Sequence, residues 1–291
     1  MAVSPVITVD ELLSLQKTGA AVHVLDVRWR LGHTDGYEQY LAGHIPGAVF
    51  VDLDRDLSRH GTPDEGRHPL PHDADFAEAV RRWGLRQGVP VVIYDDARML
   101  PASRAWWALQ RAGVDNVRVL DGGWKAWLAA GGEAEQGGVE AQPGDREVRH
   151  PGLDDVLTTE SVAQWTGVLL DARAPERYRG ETEPLDPVAG HIPGAHNLPM
   201  SMILTDDGRF HDPVTIAAAF ETVGAGENIP IAAYCGSGVT AAQLALAGTL
   251  IGREVTLYPG SWSAWSNTPG AEIETGPATE DEPIDEAEAT I

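Results

Sequence analysis

The single cysteine of this chain, Cys235, stands where a nucleophile would be useful. It follows the apolar run Ile231 to Tyr234 and precedes a loop of small residues, 236–238. The pattern predicts a buried strand, a tight loop and a helix over Ala241 to Ala247. In α/β sheets ligands bind at the carboxyl ends of strands, and a helix N-terminus favours an anion. We therefore expect Cys235 to react as a thiolate.

Other interpretations of Cys235 need weighing. A lone cysteine in an apolar strand is more often structural, but the glycines at 236 and 238 let backbone amides turn toward the sulfur. A cysteine-dependent phosphatase needs an arginine six residues after the cysteine, where this chain has Ala241, so phosphoryl transfer is disfavoured. A module that senses persulfides or oxidants through one modification stays open.

The chain contains an internal duplication. Four pairs of similar segments keep their order: Val24–Arg28 with Leu169–Arg173, 42–48 with 189–195 (both AGHIPGA), Val91–Tyr94 with Ile231–Tyr234, and 121–127 with 259–265. Their separation far exceeds a solenoid repeat and indicates a duplicated domain. We expect His44 and His191 to bond local backbone, and the paired tryptophans of 121–127 and 259–265 to pack in the core or the domain interface.

The order of elements within each copy predicts the fold class. Short β-branched runs such as Val91–Ile93 and Val117–Leu120 alternate with helical stretches such as Ser103–Ala112. This alternation is typical of α/β domains, here two similar ones, each a mostly parallel sheet flanked by helices. We place the domains at residues 5–130 and 151–270, a linker at 131–150 and an acidic disordered tail at 271–291.

Composition limits the partners, the cellular compartment and the cofactors that we expect. The formal net charge of -23 disfavours nucleic acid and anionic membranes as partners. One cysteine cannot form an intramolecular disulfide, the first residues lack a signal-peptide pattern, and no apolar run approaches the ~20 residues of a membrane span. We expect a cytoplasmic protein. Without ligand clusters or a phosphate loop, we expect neither a metal nor an organic cofactor.

The two copies differ at the reactive position. Tyr94-Asp95 stands where Tyr234-Cys235 stands, and no glycine follows within residues 96–99. A carboxylate is no useful nucleophile toward sulfur. We therefore expect the N-terminal domain to be catalytically silent and to contribute structure or cleft walls.

The CGSGVT loop at 235–240, the duplicated HIPGA and the RYRG segment at 177–180 resemble the tandem-domain rhodanese sulfurtransferases. The likeness covers nearly all of residues 5–270, and the loop is most similar to the 3-mercaptopyruvate sulfurtransferases, since thiosulfate-preferring members tend to carry cations after the cysteine. The resemblance implies an enzyme that moves sulfur from 3-mercaptopyruvate, a small-molecule donor, through a Cys235 persulfide. The acceptor would be an external thiol, thioredoxin-like or of low molecular weight, or cyanide. Thiosulfate:cyanide transfer is the alternative.

The resemblance also implies site residues. The catalytic set is Cys235, Ser237, His68 and Asp54, with His60 and Asp52 as rivals for the relay. The substrate-binding set is Arg177, Arg179, Gly236, Gly238, Val239 and Thr240. One position departs from the family, because Asp186 occupies the place of a further arginine found in some mercaptopyruvate enzymes.

Overall fold

The computed structural model describes residues 4–149 and 156–277. The N-terminal domain contains strands β1 (Val6–Ile7), β2 (His23–Asp26), β3 (Val49–Phe50), β4 (Val91–Tyr94) and β5 (Val117–Leu120). Its helices are α1 (Val9–Thr18), α2 (Gly36–Ala42), α3 (Leu53–Asp56), α4 (Asp73–Arg82), α5 (Leu100–Arg111) and α6 (Gly123–Ala129). A 3-10 turn spans Pro63–Glu65.

The C-terminal domain contains strands β6 (Val168–Asp171), β7 (His196–Asn197), β8 (Ile231–Tyr234) and β9 (Val255–Leu257). Its helices are α7 (Thr159–Val162), α8 (Pro175–Tyr178), α9 (Pro213–Glu221), α10 (Val239–Leu250) and α11 (Ser261–Ser266). A second 3-10 turn spans Met200–Met202. None of the helices in the described ranges is long and apolar enough to cross a membrane.

The four strands of the second sheet have the same order as four of the five strands of the first sheet. The first has the order β1-β5-β4-β2-β3 and the second has the order β9-β8-β6-β7, and every named strand pair is parallel. Strands β4 and β8 therefore hold corresponding central positions. The predicted fold class, two similar α/β domains with parallel sheets, is confirmed.

Local sequence explains how the first domain begins. Thr8 caps α1, accepting from the Glu11 amide at 3.2 Å, while the Glu11 carboxylate accepts from the Thr8 amide at 2.9 Å. This reciprocal pair satisfies two amides that the helix itself leaves free. Leu12 is fully buried against the sheet, and α1 ends at Gly19, whose φ of 66° is left-handed.

The repeated HIPGA segments close each domain in the same way. His44 pairs with Glu135 in an antiparallel bridge, and His191 pairs likewise with Glu274. The imidazoles bond local carbonyls, as expected, with His191 Nδ1 2.8 Å from the Tyr178 oxygen. Glu135 and Glu274, which were predicted to lie in the linker and the tail, are thus bridged to the HIPGA segments of the two domains. The remainder of the predicted tail, 278–291, lies outside the described residues.

The domains meet along α5 and α10. Both helices are buried over most of their length, and one apolar cluster runs without a break from Val91 and Leu109 in the first domain to Leu244 in the second. A helix that is apolar on nearly all sides, as α10 is, must be covered on all sides. This packing brings the loops that follow β4 and β8 to the same interface.

Candidate active site

Cys235 lies directly after β8, with only 2% of its surface exposed. Its amide donates to the Ser261 hydroxyl at 3.1 Å, and its Sγ accepts from the Gly238 amide at 3.1 Å. Gly238 is the N-cap of α10 and has a φ of 78°. A Cβ there would lie 2.5 Å from the Pro259 carbonyl oxygen, so the position requires glycine. The loop thus presents a donor to negative charge on sulfur.

Ser237 and His68 join the two domains at this loop. The hydroxyl of Ser237 and His68 Nδ1 share a hydrogen bond of 2.8 Å, and both residues are 8% exposed. On the other side of the imidazole, Nε2 lies 3.7 Å from Asp54 Oδ1. Trp29 donates to the same Asp54 oxygen at 3.0 Å and sets its ring edge-on to His68. The structure therefore joins Asp54, His68 and Ser237 in a row that ends two residues from Cys235 along the chain.

The surroundings of His68 determine its charge. Burial lowers the pKa of its imidazole to about 4, and the positive charges of Arg104 and Arg67 act in the same direction. At neutral pH the imidazole is therefore uncharged. A neutral histidine that bonds a hydroxyl is able to take up a proton and return it.

A cleft of about 480 Å³ opens over the cysteine. Gly236, Val239 and Thr240 line it, together with Arg177 from α8. Glu183, with 3% side-chain exposure, holds Arg177 by accepting from Nε at 3.2 Å and from Nη2 at 2.7 Å. Of the substrate-binding residues predicted on α8 and the Cys235 loop, four thus face the same space, whereas Gly238 and Arg179 do not line it.

Arg179 lies outside the cleft. Its guanidinium pairs with Glu181 at 2.7 Å on the protein surface, and Arg179 is absent from the cleft wall. The reason is the helical period, since residues two apart on α8 and its end point in different directions. Arg177 therefore lines the cleft, and Arg179 does not.

The rival relay residues are placed elsewhere. Asp52 caps α3 by accepting from the Asp54 and Arg55 amides at 3.1 and 3.2 Å. Both Asp52 and His60 line a separate cavity of the N-terminal domain, which Asp54 also lines. The hydrogen bond to Ser237 belongs to His68 alone among these histidines in the described ranges.

Two arginines of the N-terminal domain reach the site without having been predicted. Arg67 forms an ion pair with Asp186 across the interface and lines the cleft. Arg104 is fully buried and donates to the carbonyls of Gly238 and His68, both at 3.2 Å. Arg67 directly precedes the predicted site residue His68 in the sequence, and this position could have indicated that Arg67 lies near the site. Nothing in the sequence of α5 pointed to Arg104.

The N-terminal copy has a carboxyl group where the C-terminal copy has Cys235. Asp95 is completely buried and accepts from the amides of Ala97, Met99 and Ala102 at 2.7, 2.9 and 2.9 Å. Burial raises the pKa of this carboxyl to about 7 despite those hydrogen bonds. Met99, the N-cap of α5, has a left-handed φ of 64°, and Gly238 has one of 78° at α10. Both copies therefore keep a loop whose amides donate to the side chain at the end of the strand.

The next feature is the arrangement of the side chains that could bind a metal ion. Among residues 4–149 and 156–277, no group of three or more His, Cys, Asp or Glu side chains is arranged to hold a metal ion. The one cysteine uses its sulfur in the hydrogen bond from Gly238.

The family model described as "Rhodanese-like domain" matches residues 8–130 and again 156–268. The chain belongs to the rhodanese family. The resemblance seen in the sequence is thereby confirmed, including its duplication. Both matched ranges contain one of the two sheets, and the second contains the Cys235 loop.

Relatives of this rhodanese-family chain carry two kinds of name. "Putative thiosulfate sulfurtransferase SseB" of Mycobacterium tuberculosis is 47% identical over 94% of this chain and 97% of its own. "Probable 3-mercaptopyruvate sulfurtransferase" of Pseudomonas aeruginosa is 43% identical over 91% and 98%. Among solved structures, SseA of Escherichia coli, titled as a 3-mercaptopyruvate sulfotransferase, matches with a TM-score of 0.78 at 33% identity, covering 89% of this chain and 99% of that one.

Proposed function

We propose that this chain is a sulfurtransferase that takes sulfur from 3-mercaptopyruvate as a Cys235 persulfide and passes it to an external thiol or to cyanide. The observation that carries the proposal is that Cys235, Ser237 and Arg177 line one cleft, while Ser237 is hydrogen-bonded to His68. A nucleophile, a proton carrier and a carboxylate-binding cation then face one small substrate. The names of the relatives support the same class of reaction.

The first half-reaction begins with the Cys235 thiolate attacking the sulfur of the donor. A sulfur–sulfur bond forms, the carbon–sulfur bond breaks, and its electron pair leaves on carbon as the enolate of pyruvate. The proton of the donor thiol passes through Ser237 to the neutral imidazole of His68 and returns to that carbon, giving pyruvate. Asp54, 3.7 Å from Nε2, stabilises the transient imidazolium.

The second half-reaction transfers the outer sulfur. An external thiolate, or cyanide, attacks it, and the electron pair of the broken sulfur–sulfur bond returns to Cys235. The chain has no second cysteine that could resolve the persulfide internally. The acceptor is therefore a separate molecule, for which a thioredoxin-like protein or a low-molecular-weight thiol is suited. A thiol acceptor is plentiful in a reducing compartment, so we propose a cytoplasmic setting.

Thiosulfate is the second candidate donor. It is a dianion, and two guanidinium groups, those of Arg67 and Arg177, border the cleft. The relative from M. tuberculosis is named for this donor. We expect thiosulfate to be used more slowly than 3-mercaptopyruvate, because the Ser237–His68 pair serves a leaving group that must be protonated.

The test follows pyruvate or sulfite release from the two donors with a thiol acceptor present, for the natural protein and for Cys235→Ala. The proposal expects pyruvate release that is faster than sulfite release and vanishes in Cys235→Ala. Faster sulfite release would keep the persulfide and change the donor. Absence of turnover with both donors would favour a module that senses persulfides or oxidants through a single modification.

A further inference from the structure

Arg104 is a buried cation that has no acidic partner within the described residues. It lies inside α5 with no exposed surface. Its hydrogen bonds go to three neutral carbonyl oxygens, those of Gly238, His68 and Leu57, at 3.2, 3.2 and 3.4 Å. Its Nε is buried and has no hydrogen-bond partner in residues 4–149 and 156–277. Because a buried charge is costly unless an opposite charge lies near it, Arg104 requires a compensating anion.

The arginines that line the cleft differ from Arg104 in this respect. Three of them each pair with a buried acid: Arg67 with Asp186, Arg177 with Glu183 and Arg173 with Asp171. The fourth, Arg98, is exposed to solvent, which screens its charge. Arg104 has neither form of compensation in the part of the chain that the structure describes.

Gly238 connects Arg104 to the nucleophile. Its carbonyl oxygen accepts from Arg104 Nη1 at 3.2 Å, and its amide donates to Cys235 Sγ at 3.1 Å. Both side chains are shielded from solvent, so water weakens an attraction between their charges very little. Burial lowers the pKa of Arg104 to about 10, and the negative charge of Cys235 acts to raise it. The guanidinium therefore stays protonated at neutral pH.

The same cation acts on His68 in the opposite sense. Burial is the main reason that the pKa of this imidazole falls to about 4, and the charge of Arg104 is the next. A positive charge at this place thus favours a negative sulfur and disfavours a positive imidazole. The site is able to hold a charged nucleophile and an empty proton acceptor together, in place of a thiolate–imidazolium pair.

We propose that Arg104 is the buried counter-ion of the Cys235 anion, so that an arginine of the N-terminal domain stabilises the charge on the nucleophile of the C-terminal domain. Arg104 does not line the cleft, so it is a positioning residue that acts on the nucleophile and not on the donor. The inference rests on the proposed function for the sulfur chemistry, but the counter-ion is present without any donor.

The pH dependence of alkylation tests the proposal. Iodoacetamide is a neutral reagent that alkylates the thiolate with loss of iodide, and Cys235 is the only cysteine of the chain. The rate is measured against pH for the natural protein, Arg104→Gln and Arg104→Lys. We expect the rate at pH 7 to fall about tenfold in Arg104→Gln, with the profile moved to higher pH. Arg104→Lys keeps the charge and should stay within about threefold of the natural protein.

A second arginine of α5 provides the matched control. Arg111 also lies over the Trp107 ring, 5.5 Å from its centroid compared with 5.6 Å for Arg104. It follows Arg104 by seven residues, which is roughly 10 Å along the helix, so its charge is further from the cysteine loop. The alkylation rate of Arg111→Gln should therefore stay within about twofold of the natural rate.

The imidazole of His68 gives an independent readout by NMR titration. Its pKa should rise above about 4 in Arg104→Gln and remain there in Arg104→Lys. Equal behaviour of the two variants in either measurement would overturn the proposal, because the bonds to carbonyls alone would then account for Arg104. Arg104→Met, which keeps the apolar stem, replaces Arg104→Gln if that variant does not fold.

A double-mutant cycle separates the counter-ion from a purely structural role. Urea denaturation compares the cost of Arg104→Gln in the natural protein with its cost in Cys235→Ala. If the sulfur compensates the guanidinium, the substitution should destabilise Cys235→Ala less than it destabilises the natural protein. Equal costs in the two backgrounds would contradict the counter-ion.

None of these measurements needs turnover. A shifted alkylation profile in a protein that turns over neither donor would refute the proposed function and leave the counter-ion standing. Turnover of a donor together with an unshifted profile in Arg104→Gln would do the reverse. The two ideas therefore fail separately.

Discussion

His68 and Ser237 share a hydrogen bond of 2.8 Å across 169 residues of chain. One residue follows the 3-10 turn at Pro63–Glu65 of the first domain, and the other belongs to the loop after β8 of the second. The pair exists only when α5 and α10 are packed together. Its place beside Cys235 suggests that proton transfer depends on the domain interface as much as on the cysteine loop.

Ser237→Ala should affect the two donors differently. Pyruvate leaves only after its enolate carbon is protonated, whereas sulfite leaves without a proton. We expect kcat with 3-mercaptopyruvate to fall about 100-fold and the thiosulfate rate to change less than about threefold. His68→Gln should show the same dependence on the donor. Equal losses with both donors would mean that the pair has a structural role and no part in proton transfer.

The titration of His68 provides a prediction about pH and stability. Its folded pKa of about 4 lies below the ~6.5 of an unfolded histidine, so protonation favours the unfolded chain. The natural protein should lose roughly 1–2 kcal/mol of unfolding free energy through this group between pH 7 and pH 5. Urea denaturation at both pH values measures the loss, and His68→Gln should lack this part of it. A similar loss in both proteins would contradict the lowered pKa.

Gly238→Ala should destabilise the protein and misplace the reactive sulfur. The left-handed φ alone costs about 1–3 kcal/mol for a residue with a side chain, and the new Cβ would contact the Pro259 carbonyl oxygen at 2.5 Å. Urea denaturation measures the cost. Gly226→Ala is the matched control, because its φ is not left-handed and a Cβ there meets nothing within 4 Å. Equal stability of the two variants would show that the loop adapts without strain.

The N-terminal domain should gain no sulfurtransferase activity when Asp95 is replaced by cysteine. In Asp95→Cys/Cys235→Ala the only cysteine stands at the end of β4, behind a loop in which Ala97 offers no hydroxyl. Asp95 is fully buried and lines no part of the cleft over the catalytic loop. We expect no pyruvate or sulfite release above the Cys235→Ala background. Measurable turnover would show that the first domain retains a usable donor pocket.

The sequence predicted what is local. The strand Val117–Leu120 was placed at its observed bounds, and His44 bonds the Tyr40 carbonyl of its local backbone as expected. Both depend on residues close together along the chain. The loop after β8 was likewise readable, because glycines in a tight turn have a direct steric meaning.

The contacts between the domains could not be read in this way. A repeat shows that two similar units exist, but it contains no information on how they face each other. Arg104 looked like an ordinary helix residue until its guanidinium was seen to donate to Gly238 and His68 together. Arg67 was not predicted, because only the packing of the two domains brings it into the cleft that Arg177 also lines.

Arg104 also affects which substitutions the N-terminal copy can accept during evolution. Its fully buried guanidinium binds a carbonyl on each side of the domain interface. One is that of Gly238, the N-cap of α10, and the other is that of His68. A copy that has lost its own nucleophile is normally free to decay. In this chain the N-terminal copy still supports the Cys235 loop through its half of the interface. We therefore expect that copy to accept substitutions around Asp95 and to resist them on α5.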